Sequence, residues 1–325
     1  MRLFPGKSCA RFPTHSSGRQ SQGGRPPFDE NLMFKSPVPH TMYNFSDKET
    51  EYQMLDFRTY PNFLGMKTAS DVPDHHILWK FREESQKRDL FKKIYNKFCS
   101  FLVSNGLILK KGTIVDAIFV TAPKPRNTRK ENGAIQEGKT PTGFETKSAQ
   151  RQSHDDTDDT RWSEQNGKTY SGHKLHITTD SGSVLVVPFE VTPASDHDFR
   201  MLFAILPDRP YNGEPLDSDS AHDSESILSL LKSPDISPQV CERGCRGLPL
   251  TTEQQRRHQG ISRKCSRLEH VFVCMTQHGS KVVRTIGLSR AKAKAHMSIP
   301  AFHVRRFVFL TSQPRSKRVR IALFQ

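Results

Sequence analysis

Three carboxylates stand out because their surroundings do not favour an acid. Asp116 interrupts an apolar run rich in β-branched residues, Asp219 comes at the end of a short predicted strand, and Glu269 lies in the basic, helix-patterned stretch "CSRLEHVF". An acid in an apolar strand is costly to bury unless a cation compensates it. If the three converge, they form a hard oxygen site suited to Mg²⁺ or Mn²⁺. A pair of such ions supports in-line cleavage of a phosphodiester.

Each acid also has an ordinary structural interpretation, which the sequence leaves open. Asp116 could be a polar residue at a strand edge, and Asp219 could cap a helix. Glu269 could lie on a solvated helix face and pair with a neighbouring arginine. Asp217 competes with Asp219 for the second place, since residues two apart in a strand share a face.

The elements that must position these acids follow from periodicity. The strands are expected at 112–122, 170–180, 182–191, 214–221 and 237–242, and the helices at 196–206, 223–232 and 261–277. The second and third strands form a hairpin hinged at Ser181-Gly182. The order β-β-β-α-β-α-β-α predicts an α/β fold, a ribonuclease-H-like mixed sheet flanked by helices.

The remaining chain divides by composition. Residues 1–48 are rich in Gly, Pro, Ser and Arg and are expected to be a disordered extension. Residues 49–108 carry helical stripes, with Asp74 as an N-cap, and form either a small DNA-binding subdomain or a plain helical support. Residues 109–310 form the ribonuclease-H-like domain, with a long charged loop insertion at 123–168. Residues 311–325 form a basic tail.

Positive charge is concentrated towards the C-terminus. The chain has a formal net charge of +15, of which residues 251–325 contribute +14, since 16 Lys and Arg side chains face only Glu253 and Glu269 there. A basic block of this kind indicates a polyanionic partner, most often nucleic acid. A merely solubilising tail would explain Pro314–Arg320 but not the whole region, which also has apolar periodicity.

Other classes of protein are disfavoured. The sequence has no run of about 18 apolar residues, so a membrane span is not expected, and the first residues lack the apolar centre of a secretory signal. The six cysteines do not form the paired CxxC spacing of a zinc site, and we expect reduced thiols in a cytoplasmic protein.

Seven ordered stretches resemble the DDE transposases of bacterial insertion sequences. They are "GTIVDA" (112–117), "DTRWSEQNGKTYSGHKLHI" (159–177), "VTPASDHD" (191–198), "DSAHDSE" (219–225), "ERGCRGLPLT" (242–251), "SRKCSRLEHVF" (262–272) and "RTIGLSRAKA" (284–293). "DVPDHHILWKFRE" (71–83) also resembles the N-terminal helical segment of that family. The similarity runs from about residue 50 to about residue 310.

The resemblance implies an activity and a site. Asp116, Asp219 and Glu269 correspond to the catalytic triad, which would bind two Mg²⁺ or Mn²⁺ ions and cleave and join DNA strands. The residues expected to contact DNA are Arg161, Trp162, Lys168, Lys174, Arg263 and Arg267. The implied partners are the element's terminal inverted repeats and the target DNA, with a homo-oligomer assembled on the DNA, no membrane, and a location in the bacterial cytoplasm at the nucleoid. The alternatives are an impaired remnant that only binds DNA, and a ribonuclease-H-like nuclease.

Near Glu269 the sequence departs from the family pattern. Members usually show Tyr-x2-Arg-x3-Glu-x6-Lys, but this chain has Ser262, Cys265 and Thr276 at the Tyr, Arg and Lys positions. Val273 and Cys274 stand where Gly-Arg is usual, and His222 stands where Tyr is usual. Loss of two cations near the scissile phosphate predicts that metal binding survives while catalysis is impaired.

Overall fold

A computed structural model describes residues 28–57, 59–123, 128–137, 139, 141–142, 161–165, 168–196, 198–208, 211–218, 235–241 and 250–312. Within these ranges, six α-helices precede the first strand: α1 (Glu30–Lys35), α2 (Pro37–Met42), α3 (Asp47–Asp56), α4 (Thr59–Leu64), α5 (His75–Lys87) and α6 (Leu90–Ser104). Then follow β1 (Thr113–Thr121), α7 (Arg129–Gln136), β2 (Arg161–Gln165), β3 (Lys168–Asp180), β4 (Val186–Pro193), α8 (Asp198–Met201), β5 (Glu214–Ser218), β6 (Ile236–Val240), α9 (Thr252–Gln277) and α10 (Leu288–Ser312).

The strands form one mixed sheet. β3 pairs antiparallel with β1 on one side and with β4 on the other, while β5 lies parallel to β1 and β6 parallel to β5. The resulting order β4-β3-β1-β5-β6 is that of the ribonuclease-H-like sheet, and β2 extends it by pairing with the start of β3. The fold class expected from the sequence is therefore confirmed.

Alternation along β1 divides the core into two layers. Ile114 packs with Leu268 and other residues of α9, α10 and α6, whereas Val115 packs on the opposite face with Leu202 and its neighbours. Because successive strand residues face opposite sides, Asp116 shares the face of Ile114. The sheet thus presents Asp116 to the layer that contains α9.

The N-terminal helices form a third apolar cluster, built around Met54 and Leu78. They are joined to the sheet domain through α10, which packs against α2, α5, α6 and β4. A further contact occurs at Gly279, whose φ of +70° places it in the left-handed region favoured by glycine; a Cβ there would clash with the Asn44 side chain. The two ends of the described chain are therefore packed together.

Several boundaries expected from the sequence are wrong. Residues 30–42 form two helices and α3 begins at Asp47, so the described part of the supposed disordered extension is ordered. The supposed loop at 123–168 contains α7 and β2. The helix expected at 196–206 is a short α8 followed by a 3₁₀ turn, and α9 begins nine residues earlier than expected. The helix expected at 223–232 lies outside the described residues.

Candidate active site

Asp116 occupies the fourth position of β1. Its neighbours on the same face, Ile114 and Ile118, pack in the core beneath α9. The carboxylate is half-buried, and its Oδ1 accepts a hydrogen bond of 2.7 Å from the Ala117 backbone N–H. The β-branched residues that form the strand thus hold an acid at the edge of an apolar layer, where a cation would lower the cost of its burial.

Asp217 lies in β5 opposite Ile114 and has no exposed surface. Its two carboxylate oxygens lie 2.9 and 3.2 Å from Nζ of Lys264, on α9. Burial raises the pKa of Asp217, and the Lys264 ammonium offsets part of that shift. Asp217 therefore already has a cation of the protein's own, which argues against it as the second metal ligand. The sequence reasoning did not find Lys264, although a buried acid in β5 signals that a cation must lie nearby.

Asp219 lies outside the described residues, which end at Ser218 in this part of the chain. The register of β1 and β5 nevertheless gives the position of Ser218, the residue before Asp219. Val115 pairs with Ser218 in the parallel ladder between β1 and β5. The residues that immediately precede Asp116 and Asp219 are therefore neighbours across the sheet.

Helix α9 runs in the same direction as β1. Near its middle, Lys264 pairs with Asp217, which lies opposite Ile114. After the helix ends, the Thr121 N–H donates to the Lys281 carbonyl and the Val283 N–H donates to the Thr121 carbonyl. Helix α9 and the residues that follow it are thus held to the sheet at two points along β1, one near Ile114 and one at Thr121.

The contact between Lys264 and Asp217 allows the position of Glu269 along α9 to be compared with that of Asp116 along β1. From Lys264 to Glu269 the helix rises about 7.5 Å. From Ile114 to Asp116 the strand rises about 7 Å. Glu269 is therefore about as far along α9 from Lys264 as Asp116 is along β1 from Ile114. Its side chain is exposed and directly follows Leu268, which is fully buried in the core.

One flank of α9 carries Glu269 and two of the positions at which the sequence departs from the family pattern, Cys265 and Thr276. Cys265, Glu269, Phe272 and Thr276 follow each other at intervals of four, three and four residues, so they lie in one row along the helix. Cys265 is half-buried and packs against the main core, whereas Thr276 is exposed and its hydroxyl donates to the Phe272 carbonyl at 2.8 Å. Cations at these two positions would lie on either side of Glu269.

The donor set fits a hard divalent cation, because Asp116 and Glu269 offer carboxylate oxygens. Among the described residues no group of three His, Cys, Asp or Glu side chains is arranged to hold a metal ion. Asp116, Asp217 and Glu269 therefore do not form such a group.

The expected DNA contacts near the first strands lie on strands rather than in a loop. Arg161 and Trp162 are in β2, opposite Gly172 and Ser171 of β3, and Lys168 begins β3. We expected these residues to lie in or beside the loop at 123–168. That placement is wrong, because they lie on the paired strands β2 and β3.

The other three expected DNA contacts, Lys174, Arg267 and Arg263, differ in exposure and in the hydrogen bonds that their side chains make within the protein. Lys174 donates to Asp198 at 3.1 Å and to the Asp196 carbonyl at 2.9 Å, and its side chain is only 13% exposed. Arg267 donates to the Ser181 carbonyl at 2.5 Å. Arg263 is exposed on α9. Of the three, Arg263 has the side chain best placed to reach a partner.

Two family models match the chain. Residues 8–84 match "Transposase domain (DUF772)", and residues 108–301, more than half of the chain, match "Transposase DDE domain". The protein belongs to the transposase DDE domain family. It is a DDE-class transposase of the insertion-sequence type, an enzyme of DNA transposition. The first match also begins within the residues expected to be a disordered extension.

Two solved structures are similar to this transposase over most of its length. They are the Mos1 strand transfer complex, with 11% sequence identity, and a pre-cleavage Mos1 transpososome, with 10%. Each match covers 80% of this chain and 82% of the other, with a TM-score of 0.21. A score of that size supports no residue-level comparison.

Proposed function

We propose that Asp116, Asp219 and Glu269 form the catalytic site of this transposase, and that it cleaves and transfers DNA strands at the ends of an insertion sequence with two Mg²⁺ or Mn²⁺ ions. The observation that carries the proposal is the register of the central strands. Val115 pairs with Ser218, and in the sequence an aspartate follows each of these two residues. Helix α9 is tied to β5 through Lys264, and Glu269 follows about 7.5 Å further along the helix, which supports it as the third member of the site.

Two phosphoryl transfers follow. In the first, a water oxygen bonds to phosphorus while the bond to the 3′ oxygen breaks, which leaves a 3′-OH on the element. In the second, the oxygen of that 3′-OH bonds to a phosphorus of the target DNA while the bond from this phosphorus to the target's 3′ oxygen breaks. The target strand is left with a free 3′-OH, and one phosphodiester has replaced another. When bound, divalent cations activate the attacking oxygen and stabilise the leaving oxygen. The chain's own task is to hold three carboxylates and the DNA backbone in fixed relative positions.

A second candidate function is DNA binding with impaired catalysis. The observation that favours it is the row on α9, where Cys265 and Thr276 take the places usually occupied by Arg and Lys. Neither side chain can neutralise a phosphate, so the strand would be positioned less well. The match to the transposase DDE domain favours either version of a transposase over a ribonuclease-H-like nuclease.

The proposed substrates are the terminal inverted repeats of the element and a target duplex. Arg161, Trp162, Lys168 and Arg263 are the candidate contacts, together with the basic segment that follows Arg284. A homo-oligomer assembled on two element ends, and a location at the bacterial nucleoid, follow from this function. None of the helices in the described ranges is both long and apolar enough to cross a membrane.

The test is cleavage of labelled DNA that carries the inverted repeats flanking the coding gene. Asp116→Asn, Asp219→Asn and Glu269→Gln should each lower cleavage in Mg²⁺ or Mn²⁺ by about 100-fold or more, while mobility shifts show binding retained. Glu253→Gln, at the exposed start of the same helix, is the matched control and should cleave normally. Wild-type cleavage by Glu269→Gln would remove that residue from the site.

A further inference from the structure

A cleft with unbalanced positive charge lies where the two ends of the chain meet. Its volume is about 270 Å³, and its walls come from α2, α3 and α5 on one side and from Gly279 to Met297 on the other. Pockets for drug-sized ligands usually exceed about 300 Å³. The space suits a small group and not a large organic substrate.

Four cations and two acids line this cleft. Arg82 donates to Asp47 at 2.8 Å, and Arg290 donates to Glu83 at 3.0 and 2.6 Å. Both acids of the lining are therefore used by two of its cations. The two cations left over are Arg284 and Lys294.

Neither Arg284 nor Lys294 has an acidic partner among the residues that form the cleft walls. The Lys294 side chain is half-buried, and burial lowers its pKa to about 8, with Arg82 and Arg284 adding to the shift. His40 cannot compensate this charge. Its Nε2 accepts from Arg82 at 2.7 Å, and burial lowers the pKa of its imidazole.

We propose that this cleft, which we call the Arg284–Lys294 cleft, binds a phosphate group, and that the group belongs to the backbone of bound DNA. A phosphate would accept hydrogen bonds from the Lys294 ammonium and the Arg284 guanidinium and balance their charge. The same chemistry would accept free inorganic phosphate, so the experiment distinguishes the two sources.

The position of the cleft suits a DNA that also reaches the catalytic carboxylates. Val282, on its wall, pairs with Thr121 at the end of β1. Thr121 lies five residues beyond Asp116, which is about 17 Å along the strand. DNA rises about 3.4 Å per base pair, so this distance corresponds to about five base pairs. This part of the inference rests on the proposed catalytic site, whereas phosphate binding does not.

The test measures binding and not cleavage, so its failure can be told from failure of the proposed catalytic site. A duplex of arbitrary sequence is sufficient, because phosphate contacts are independent of sequence. Affinity is measured by fluorescence anisotropy at several NaCl concentrations in phosphate-free buffer. Lys294→Met and Arg284→Ala should each weaken binding about tenfold and reduce the salt slope by about 1.

Lys292→Met is the matched control. Lys292 lies two residues from Lys294 on the same helix but pairs with Glu190 at 2.6 Å, outside the cleft. It removes the same charge, so a general electrostatic effect would appear equally in both variants. If Lys292→Met and Lys294→Met reduced the salt dependence of DNA binding equally, the proposal would be overturned.

Two further measurements cover folding and the source of the phosphate. Lys294→Met should raise the melting temperature in phosphate-free buffer, because it removes a half-buried cation from a positive environment. Inorganic phosphate should stabilise wild type more than Lys294→Met, and should compete with the duplex if both use the cleft. Stabilisation by phosphate without any change in the DNA slope would identify free phosphate as the ligand. A loss of stability in Lys294→Met together with no response of wild type to either ligand would refute a phosphate site.

Discussion

The ammonium nitrogen of Lys264 lies 2.9 Å from one carboxylate oxygen of Asp217, and this aspartate has no exposed surface. The pair joins the middle of α9 to β5. Lys264 itself is nearly half exposed, so only the acid bears the full cost of burial. The contact therefore fixes the helix that carries Glu269 to the strand that precedes Asp219.

Lys264→Met should destabilise the fold by about 3 kcal/mol at neutral pH, because it leaves a buried carboxylate without its cation. Urea unfolding followed by circular dichroism measures the change. Burial already raises the pKa of Asp217, and loss of Lys264 should raise it further. Because the pKa of Asp217 is higher in the folded than in the unfolded state, the free-energy cost of its buried charge appears as pH rises above the unfolded pKa of about 4. The destabilisation should therefore shrink in mildly acidic buffer.

Two controls accompany this variant. Arg263→Met changes the neighbouring exposed cation and should leave stability within about 0.5 kcal/mol of wild type. Lys264→Met combined with Asp217→Leu removes both charges and should recover most of the loss. If the double variant were as unstable as the single one, the loss would come from packing and not from the unpaired acid.

Cys265→Arg combined with Thr276→Lys should raise DNA cleavage. The two positions lie on the Glu269 flank of α9, so the new cations would reach phosphates beside the carboxylates. The expected gain is about 10- to 100-fold in single-turnover cleavage with Mg²⁺ or Mn²⁺. The measurement uses DNA that carries the element's inverted repeats.

The control for this gain places the same charges elsewhere on the helix. Gln259→Arg combined with Gln277→Lys adds two cations at exposed positions of α9 that are not three or four residues from any member of the row. This variant should increase DNA affinity without increasing the cleavage rate of bound DNA. Vigorous cleavage by the unaltered protein would instead show that Cys265 and Thr276 do not impair it.

Removal of residues 313–325 should weaken DNA binding and its dependence on salt. The cut follows Ser312 because α10 extends to that residue, slightly beyond the tail boundary expected from the sequence. The segment contains four cations: Arg315, Lys317, Arg318 and Arg320. Each phosphate contact contributes about 0.9 to the salt slope, so the slope should fall by up to about 3.6. Replacing the four cations by Gln should have the same effect, and an unchanged slope in both would make the segment a solvated extension.

The Glu83–Arg290 ion pair should couple the N-terminal helices to α10. It is bidentate, with distances of 3.0 and 2.6 Å, and both side chains are mostly buried. A double-mutant cycle with Glu83→Gln and Arg290→Met should give a coupling of about 1–2 kcal/mol in unfolding. The Arg290 hydrogen bonds lower the pKa of Glu83, so the coupling should be present at neutral pH and lost as acid protonates Glu83. A coupling near zero at pH 7 would show that other contacts hold these elements together.

The central fold could be predicted because its signals are local. Alternating apolar residues define β1, β3 and β4, and the apolar stripe around Leu268 defines α9. The helical residues between 30 and 48 were missed because their composition resembles a linker. Ser46 followed by Glu49 was nevertheless a usable helix start, and the Ser46 hydroxyl accepts from the Glu49 N–H in the structure.

The partners of individual charges could not be predicted, because they depend on residues far apart in the chain. Lys264 reaches Asp217 across 47 positions, and Arg290 reaches Glu83 across 207. Lys174 shows the converse. Its type and place suggested a DNA contact, but the sheet turns it towards Asp198. Charge alone therefore indicates a polyanionic partner and does not tell which cations remain available for it.

The walls of the Arg284–Lys294 cleft come from residues 40–91 and 279–297, with the whole sheet domain between them in the sequence. During synthesis the first wall leaves the ribosome long before the second. A nascent chain, or one cut short before Arg284, has Arg82 and its paired acid but lacks the other side of the cleft. Formation of this site thus reports that translation has passed the entire sheet domain, and an incomplete product would be unable to hold DNA there.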